Sequence, residues 1–171
     1  RTLGLENDGK SRQLARYVKE VGERYVDNLQ VVMIYRNDRF LRGGDHTPYV
    51  QRGFAAVRFT EMNENYTRQH QNIRTENNIH YGDLEEHIDY EYLRKNTAMN
   101  LANLANLAKA PSMPDSVKMD VKKLSNNTYL FWNKSKSGNV KGYYILIRET
   151  TSAVWQKKIF TTATTITLPY S

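Results

Sequence analysis

Gln30-Val31-Val32-Met33-Ile34-Tyr35 is the stretch on which a reading of the fold turns. It is continuously apolar after its first residue, rich in β-branched side chains and short. That pattern fits a strand buried on both faces of a parallel or mixed sheet. Upstream, Ser11 can cap a helix running to about Val26, with Leu14, Ala15, Val18, Val21 and Tyr25 spaced by threes and fours on one face. A helix followed by a buried strand implies an α/β fold. Working outward, residues 37–47 read as a polar Arg/Gly/Asp loop and Pro48–Arg52 as a helical turn. Ala55–Thr60 reads as a second strand, entered through Gly53 and expected to lie beside Val31–Tyr35 in one sheet. Glu61–Asp83 is a long irregular segment, and such segments usually carry a site. Ile88–Lys109 reads as a single helix. Its Asn-Leu-Ala triplet, repeated from Asn100 to Ala108, drifts around the axis and suggests a broadly buried packing helix.

Ala110-Pro111-Ser112-Met113-Pro114-Asp115-Ser116 then breaks the composition as a linker does. The boundary is therefore placed between residues 1–110 and 111–171. Beyond it, Val117–Leu124, Thr128–Trp132, Tyr143–Glu149, Trp155–Phe160 and Thr164–Leu168 are short alternating segments separated by turn signals, as in an antiparallel sandwich. A complete fibronectin-type sandwich needs about 100 residues and seven strands. The tail is expected to be an incomplete one.

A length of 171 residues suits one ordinary domain, or one domain plus part of a second. The composition is 39% hydrophobic and 25% charged, which is globular and excludes collagenous or wholly disordered chains. Apolar runs fall well short of the roughly 18–20 residues of a membrane span, so no transmembrane segment is expected. The absence of cysteine excludes disulfides, thiol catalysis and cysteine-built zinc sites together. The net charge of +7 lies mostly in the tail: residues 1–110 hold 16 Lys+Arg against 15 Asp+Glu, a balance of +1, and residues 111–171 hold 9 against 3, a balance of +6. Those lysines are spread over several strands without interleaved aromatic residues, which argues against a nucleic-acid partner.

Any metal must sit on His, Asp or Glu, and none of the four histidines, His46, His70, His80 and His87, lies in a self-sufficient metal motif. Chain order singles out two of them. His46 closes the loop Arg42-Gly43-Gly44-Asp45-His46-Thr47-Pro48 after the first expected strand, and His70 lies in the loop after the second. Strand-end loops of this kind are where α/β sheets bind ligands. Glu61, Glu64 and Tyr66 precede His70 and read either as scaffolding or as pocket-lining residues, with Tyr66 a donor to a developing oxyanion, while His80 and His87 belong to a solvated acidic turn with Asp83, Glu85 and Glu86.

Gly44-Asp45-His46-Thr47-Pro48-Tyr49, then Gly53-Phe54-Ala55-Ala56-Val57, then a loop histidine about a dozen residues on, resembles the C-terminal third of the di-zinc exopeptidases of metallopeptidase family twenty-eight, which include bacterial leucyl aminopeptidase. The resemblance implies a three-layer mixed-sheet zinc exopeptidase domain, of which residues 1–110 are the C-terminal portion, followed by a partial fibronectin-like sandwich. His70 takes the place of the last zinc ligand. Asp45, His46, Arg58 and Tyr66 fall in the substrate pocket or around the ligand. The run His70-Gln71-Asn72-Ile73-Arg74-Thr75 departs from the family's usual His-Thr-x-x-Asp-Thr by placing Arg74 where an aspartate is expected, a subfamily variation.

The implied function is hydrolysis of N-terminal residues from peptides by water activated between two zinc ions. The remaining ligands and the catalytic base lie outside this sequence, so the chain alone is expected to be an inactive fragment. Its apolar faces around Leu14, Val18, Leu101 and Leu104 would then be covered by the missing N-terminal part or by a second chain. Export to the periplasm or the extracellular space is implied by the resemblance alone. The rival readings are a non-catalytic binding module of the same fold and a glutaminyl cyclase-like zinc acyltransferase.

Overall fold

The computed structural model describes residues 7–35, 43–122 and 125–170. It is a mixed α/β structure whose strands, among the described residues, form three small sheets. The chain divides into two compact units, Arg1–Asn106 and Leu107–Ser171.

In the first unit, α1 spans Lys10–Tyr25. Its N-cap is Gly9, not Ser11, and the cap makes no side-chain hydrogen bond; Gln13 N–H bonds back to Gly9 O at 3.0 Å. Ser11 lies inside the first turn, where its Oγ accepts from Ala56 N–H at 3.2 Å. A tertiary contact claims the hydroxyl that the sequence offered as a cap. The helix ends where Val26 N–H bonds Gly22 O, and Asn28 (φ 52°) turns the chain away. Val18 and Val26 pack against Met99 of a later helix, α3 (Tyr90–Ala108), with Leu14, Leu29, Val31 and Val57 around them. The helices approach closely because Gly22 has no side chain: a Cβ there would sit 2.9 Å from Met99 Cγ and Sδ.

Neither Val31–Tyr35 nor Ala55–Thr60 is a strand, contrary to expectation; neither enters a β-ladder. The reason lies in who satisfies their backbones. Lys19 Nζ donates to Val31 O (2.8 Å), Glu23 Oε1 accepts Val31 N–H (2.9 Å), Arg12 donates to Ile34 O (3.1 Å) and Ser11 takes Ala56 N–H. Side chains of α1 occupy backbone groups that a neighbouring strand would need. Nor are the segments buried as expected: Val32, Ile34, Tyr35 and Phe59 are exposed, and the two segments line one open cleft over α1 and α3.

The helical turn begins two residues earlier than expected, as α2, His46–Gln51, with Asp45 at its N-cap. Glu61–Asp83, read as irregular, contains a hairpin of β1 (Arg74–Glu76) and β2 (Ile79–Tyr81). Asn77 and Asn78 adopt φ of 50° and 63°, the paired left-handed conformation of a tight two-residue hairpin turn. After a 3₁₀ turn at Glu85–His87, α3 runs Tyr90–Ala108. Its asparagines face inward in part: Asn100, Asn103 and Asn106 each donate to the carbonyl four residues back, and Asn103 is buried. Leu101 and Leu104 are each 67% exposed, so the triplet does not make a broadly buried helix. Of the apolar faces expected to be bare, Val18 is buried and Leu14 packs against the core, while Leu101 and Leu104 stand open.

In the second unit all five expected segments form strands, each with shifted ends: β3 Asp115–Met119, β4 Asn127–Asn133, β5 Tyr143–Ile147, β6 Lys157–Thr161 and β7 Thr165–Pro169. The first is shorter than read, and Lys123 and Leu124 lie outside the described residues. The antiparallel sheets are β3-β4-β7 and β5-β6. Trp132 of β4 is buried edge-on to Tyr143 of β5, ring centroids 5.3 Å apart, and Tyr143 Oη accepts Ser135 N–H at 3.1 Å. Among the described residues, no helix is long and apolar enough to cross a membrane.

Candidate functional site

The residues singled out around His46 and His70 are drawn together by a carboxylate that the sequence had marked as scaffolding or pocket lining. Glu64 follows directly on the 54–60 segment, and its side chain is 3% exposed. Oε1 accepts from Thr60 Oγ1 and faces Arg58 Nη2 at 3.4 Å; Oε2 accepts from Gln69 Nε2 at 3.5 Å. The Tyr66 hydroxyl also hydrogen-bonds this carboxylate. Such charge-assisted bonds favour the ionised form. The bond from Thr60 is the largest influence, and with Tyr66, Gln69 and Arg58 it outweighs burial to hold Glu64 below the usual carboxylate range.

From Arg58 the cluster continues toward α2. Arg58 Nη1 donates to Gly43 O at 3.3 Å, and a Cβ on Gly44 would lie 3.0 Å from His46 Nδ1 and 3.2 Å from Arg58 Cδ. Both side chains therefore pack over Gly44, and both line the cleft of about 200 Å³ beneath the 31–34 and 56–60 segments. Asp45 is exposed and makes no side-chain cap bond, although a turn-closing role suits an aspartate after two glycines; the turn is closed by Thr47 N–H on Gly44 O at 2.9 Å.

His70 is exposed and has φ of 54°, a left-handed conformation that a non-glycine residue adopts only when its surroundings hold it there. The surroundings are specific. Asn65 Oδ1 accepts from Thr67 N–H (3.0 Å) and Thr67 Oγ1 (2.7 Å), Gly82 N–H bonds Thr67 O (3.1 Å), and Gln69 is tied to Glu64. Gly82 has φ of 148°, and a Cβ there would lie 3.1 Å from Ile73 Cγ1, so the hairpin foot closes on the loop only with glycine. His80 lies on the hairpin, Nδ1 2.9 Å from Thr75 Oγ1, and His87 sits 3.9 Å from Glu86; neither belongs to the Glu64 cluster as its bonds are drawn.

The structure thus joins His46, Arg58 and Tyr66 through Gly44 and Glu64, and reaches His70 through its neighbour Gln69. Sequence reasoning named Glu64 beside the loop but did not mark it as the group that gathers the others. The signal available to it was a carboxylate amid polar donors, Thr60-x-x-x-Glu64-x-Tyr66-x-x-Gln69, but only burial distinguishes that from a solvated loop. No group of three or more His, Asp or Glu side chains able to hold a metal occurs among the described residues. Among the described residues, His70 therefore has no set of co-ligands around it that would complete a zinc site.

No known protein-family model matches the chain, and no solved structure does. Curated proteins do. A probable zinc metalloprotease of Leptosphaeria maculans is 46% identical over 157 residues, 92% of this chain and 36% of its own length. One from Pyrenophora teres f. teres is 45% identical over 153 residues (90% of this chain, 32% of its own), and one from Pyricularia oryzae 39% identical over 165 residues (93% and 33%). The chain spans about a third of the length of these relatives, and along nine-tenths of its own it is similar to fungal proteins named as probable zinc metalloproteases.

Proposed function

We propose that this chain is part of a zinc-dependent peptidase and that it contributes one metal-ligand loop, with His70 as the donor. The observation that carries the reading is the 46% identity, over almost the whole chain, to a protein named as a probable zinc metalloprotease. The finer reading is an exopeptidase of metallopeptidase family twenty-eight, an aminopeptidase holding two zinc ions and acting on peptides outside the cytoplasm, with a fibronectin-like tail. It rests on the Gly44–Tyr49 and Gly53–Val57 motifs and the loop histidine that follows them.

Bound zinc would supply Lewis-acid activation of water and of the scissile carbonyl. The further ligands and the base are assigned to the rest of the longer protein. That remainder is also the proposed cover for the apolar cleft and for Leu101 and Leu104. On this reading the residues of the chain have separate tasks. His70 supplies the imidazole donor. Arg58 has its charge answered by Glu64.

The test is His70→Ala in the full-length protein, with zinc content measured by atomic emission beside turnover of an aminoacyl anilide. Loss of zinc from one position together with loss of turnover is expected, while His80→Ala and His87→Ala keep both. Full zinc occupancy and turnover in His70→Ala would overturn the assignment.

A further inference from the structure

The triplet Asn-x-Ser/Thr, the acceptor pattern for an N-linked oligosaccharide, occurs three times in the sequence: Asn65-Tyr66-Thr67, Asn126-Asn127-Thr128 and Asn133-Lys134-Ser135. All three asparagines are exposed, so exposure does not choose between them. Local bonding does. Asn65 opens a turn that Arg68 N–H closes on Asn65 O at 3.1 Å, and its Oδ1 accepts from both Thr67 N–H and Thr67 Oγ1. A backbone N–H only donates, so the atom facing it is the oxygen, and the amide nitrogen lies on the other side. That Nδ2 has no bonding partner among the described residues. Glu64 turns inward with 3% of its side chain exposed, while Asn65 beside it faces solvent. The other two triplets commit their third residue elsewhere. Thr128 lies in the β4–β7 ladder opposite Leu168, and Ser135 donates its hydroxyl to Ser112 O at 2.7 Å and its N–H to Tyr143 Oη at 3.1 Å. Those conformations need distant segments. The Asn65 turn closes within residues 65–68, a short loop that costs little entropy to form before the rest of the chain folds.

We propose that Asn65 is an N-glycosylation site, its exposed Nδ2 carrying an oligosaccharide while its Oδ1 keeps the turn at the start of the 65–70 loop. In the reaction Nδ2 attacks the anomeric carbon of an oligosaccharide held on a polyprenyl diphosphate. The carbon–nitrogen bond forms as the carbon–oxygen bond to the diphosphate breaks; the diphosphate leaves with the electron pair, and the proton from Nδ2 passes to a base of the transferase. The proposal rests on the reading that the protein acts outside the cytoplasm, because the donor is met on export. It also deepens that reading. A glycan is bulky and hydrated and belongs on a surface, so the remainder of the longer protein must leave the 65–68 turn open. The modification costs the folded chain no bond, since the turn uses only the oxygen of the amide.

The experiment produces the full-length protein in a glycosylating eukaryotic host, once with its own N-terminus and once behind a cleavable export leader, and collects it from medium and cells together. Enzymatic removal of N-glycans in heavy-oxygen water converts each glycosylated asparagine to a labelled aspartate, which mass spectrometry of tryptic peptides locates. Peptide 59–68 reports on Asn65, and peptide 124–134, read by its fragments, on Asn126 and Asn133. Expected are the label at residue 65 in most molecules of the leader-bearing form and one step of gel mobility that the glycosidase removes. Asn65→Asp keeps an oxygen for both Thr67 bonds and loses only the nitrogen, so it should lose that step while the turn stays. Thr67→Ala should lose the step as well, and Thr67→Ser should keep it. A bare Asn65 in the leader-bearing form overturns the proposal, most directly where Asn126 or Asn133 carries the label and shows that the chain met the transferase. A labelled Asn65 behind the leader, beside a bare protein retained in the cell without it, upholds the site and refutes the export reading alone.

Discussion

Replacing Gly22 by alanine sets two known effects against each other, and the structure decides between them. In a helix interior the change should stabilise by about 0.8–1.0 kcal/mol, because glycine loses more backbone freedom on folding. Gly22 lies near the end of α1 but inside it, buried against α3. The new Cβ would meet Met99 Cγ and Sδ at 2.9 Å and Val31 Cγ2 at 3.4 Å. Ordinary carbon contacts lie at about 3.5–4.0 Å, so Met99 would have to retreat by about 0.6–1.1 Å. The atoms met are in the middle of the methionine side chain, which is 3% exposed and packed by Val18 and Val26, so the whole side chain must shift and not just its flexible end. Overpacking of this kind costs about 1–3 kcal/mol, which exceeds the propensity gain, and a net loss of about 1 kcal/mol is expected. The sign should reverse in a Met99→Ala background, where the cavity accepts the methyl group and Gly22→Ala should restore about 1 kcal/mol or more. The assay is urea denaturation followed by helical circular dichroism, because both tryptophans, Trp132 and Trp155, lie in the second unit and would not report on this core. A Gly22→Ala chain more stable than wild type, or the same effect in both backgrounds, would refute the packing argument.

Two further outcomes follow from the same structure. Burial works against the charged form of Glu23, but hydrogen bonds from Lys19 and from Val31 N–H outweigh it and hold its carboxyl below the ordinary value of 4.5. Its contribution is therefore fully present above that value and lost as pH falls through the depressed one; the stability difference between wild type and Glu23→Gln should be flat at neutral pH and shrink below about 4.5 in denaturation curves. In the β1–β2 turn, Asn78→Gly should be tolerated, whereas Asn78→Val forces a β-branched residue into the left-handed region at about 1–2 kcal/mol and should speed limited proteolysis of segment 74–81; equal cleavage rates for the two variants would show that the turn imposes no such constraint.

Repeating local patterns in the sequence were enough for much of the secondary structure. The three- and four-residue spacing of Leu14, Val18 and Val21 makes α1 amphipathic wherever it is placed, and the alternation from Thr128 to Trp132 and from Tyr143 onward makes strands because each residue faces opposite its neighbours. The paired asparagines at 77 and 78 were a local signal too, but the segment read as irregular because strands of three residues fall beneath the usual period. What no local pattern contained was partnership. Val31–Tyr35 has the composition of a buried strand, but a strand exists only when another backbone lies alongside, and here α1 side chains hold Val31 and Ile34 instead. The leucines of the Asn-Leu-Ala repeat point outward and Asn103 inward, because which face is covered depends on where Met99 meets α1. The candidate site divides in the same way. His46, His70 and Arg58 could be picked out by residue type and order along the chain, since ligating and charged groups announce their chemistry. Glu64 could be placed near the pocket but not recognised as the organising group, because a carboxylate becomes one only when the chain folds round it to exclude water and supply its donors, and that is a property of the folded chain.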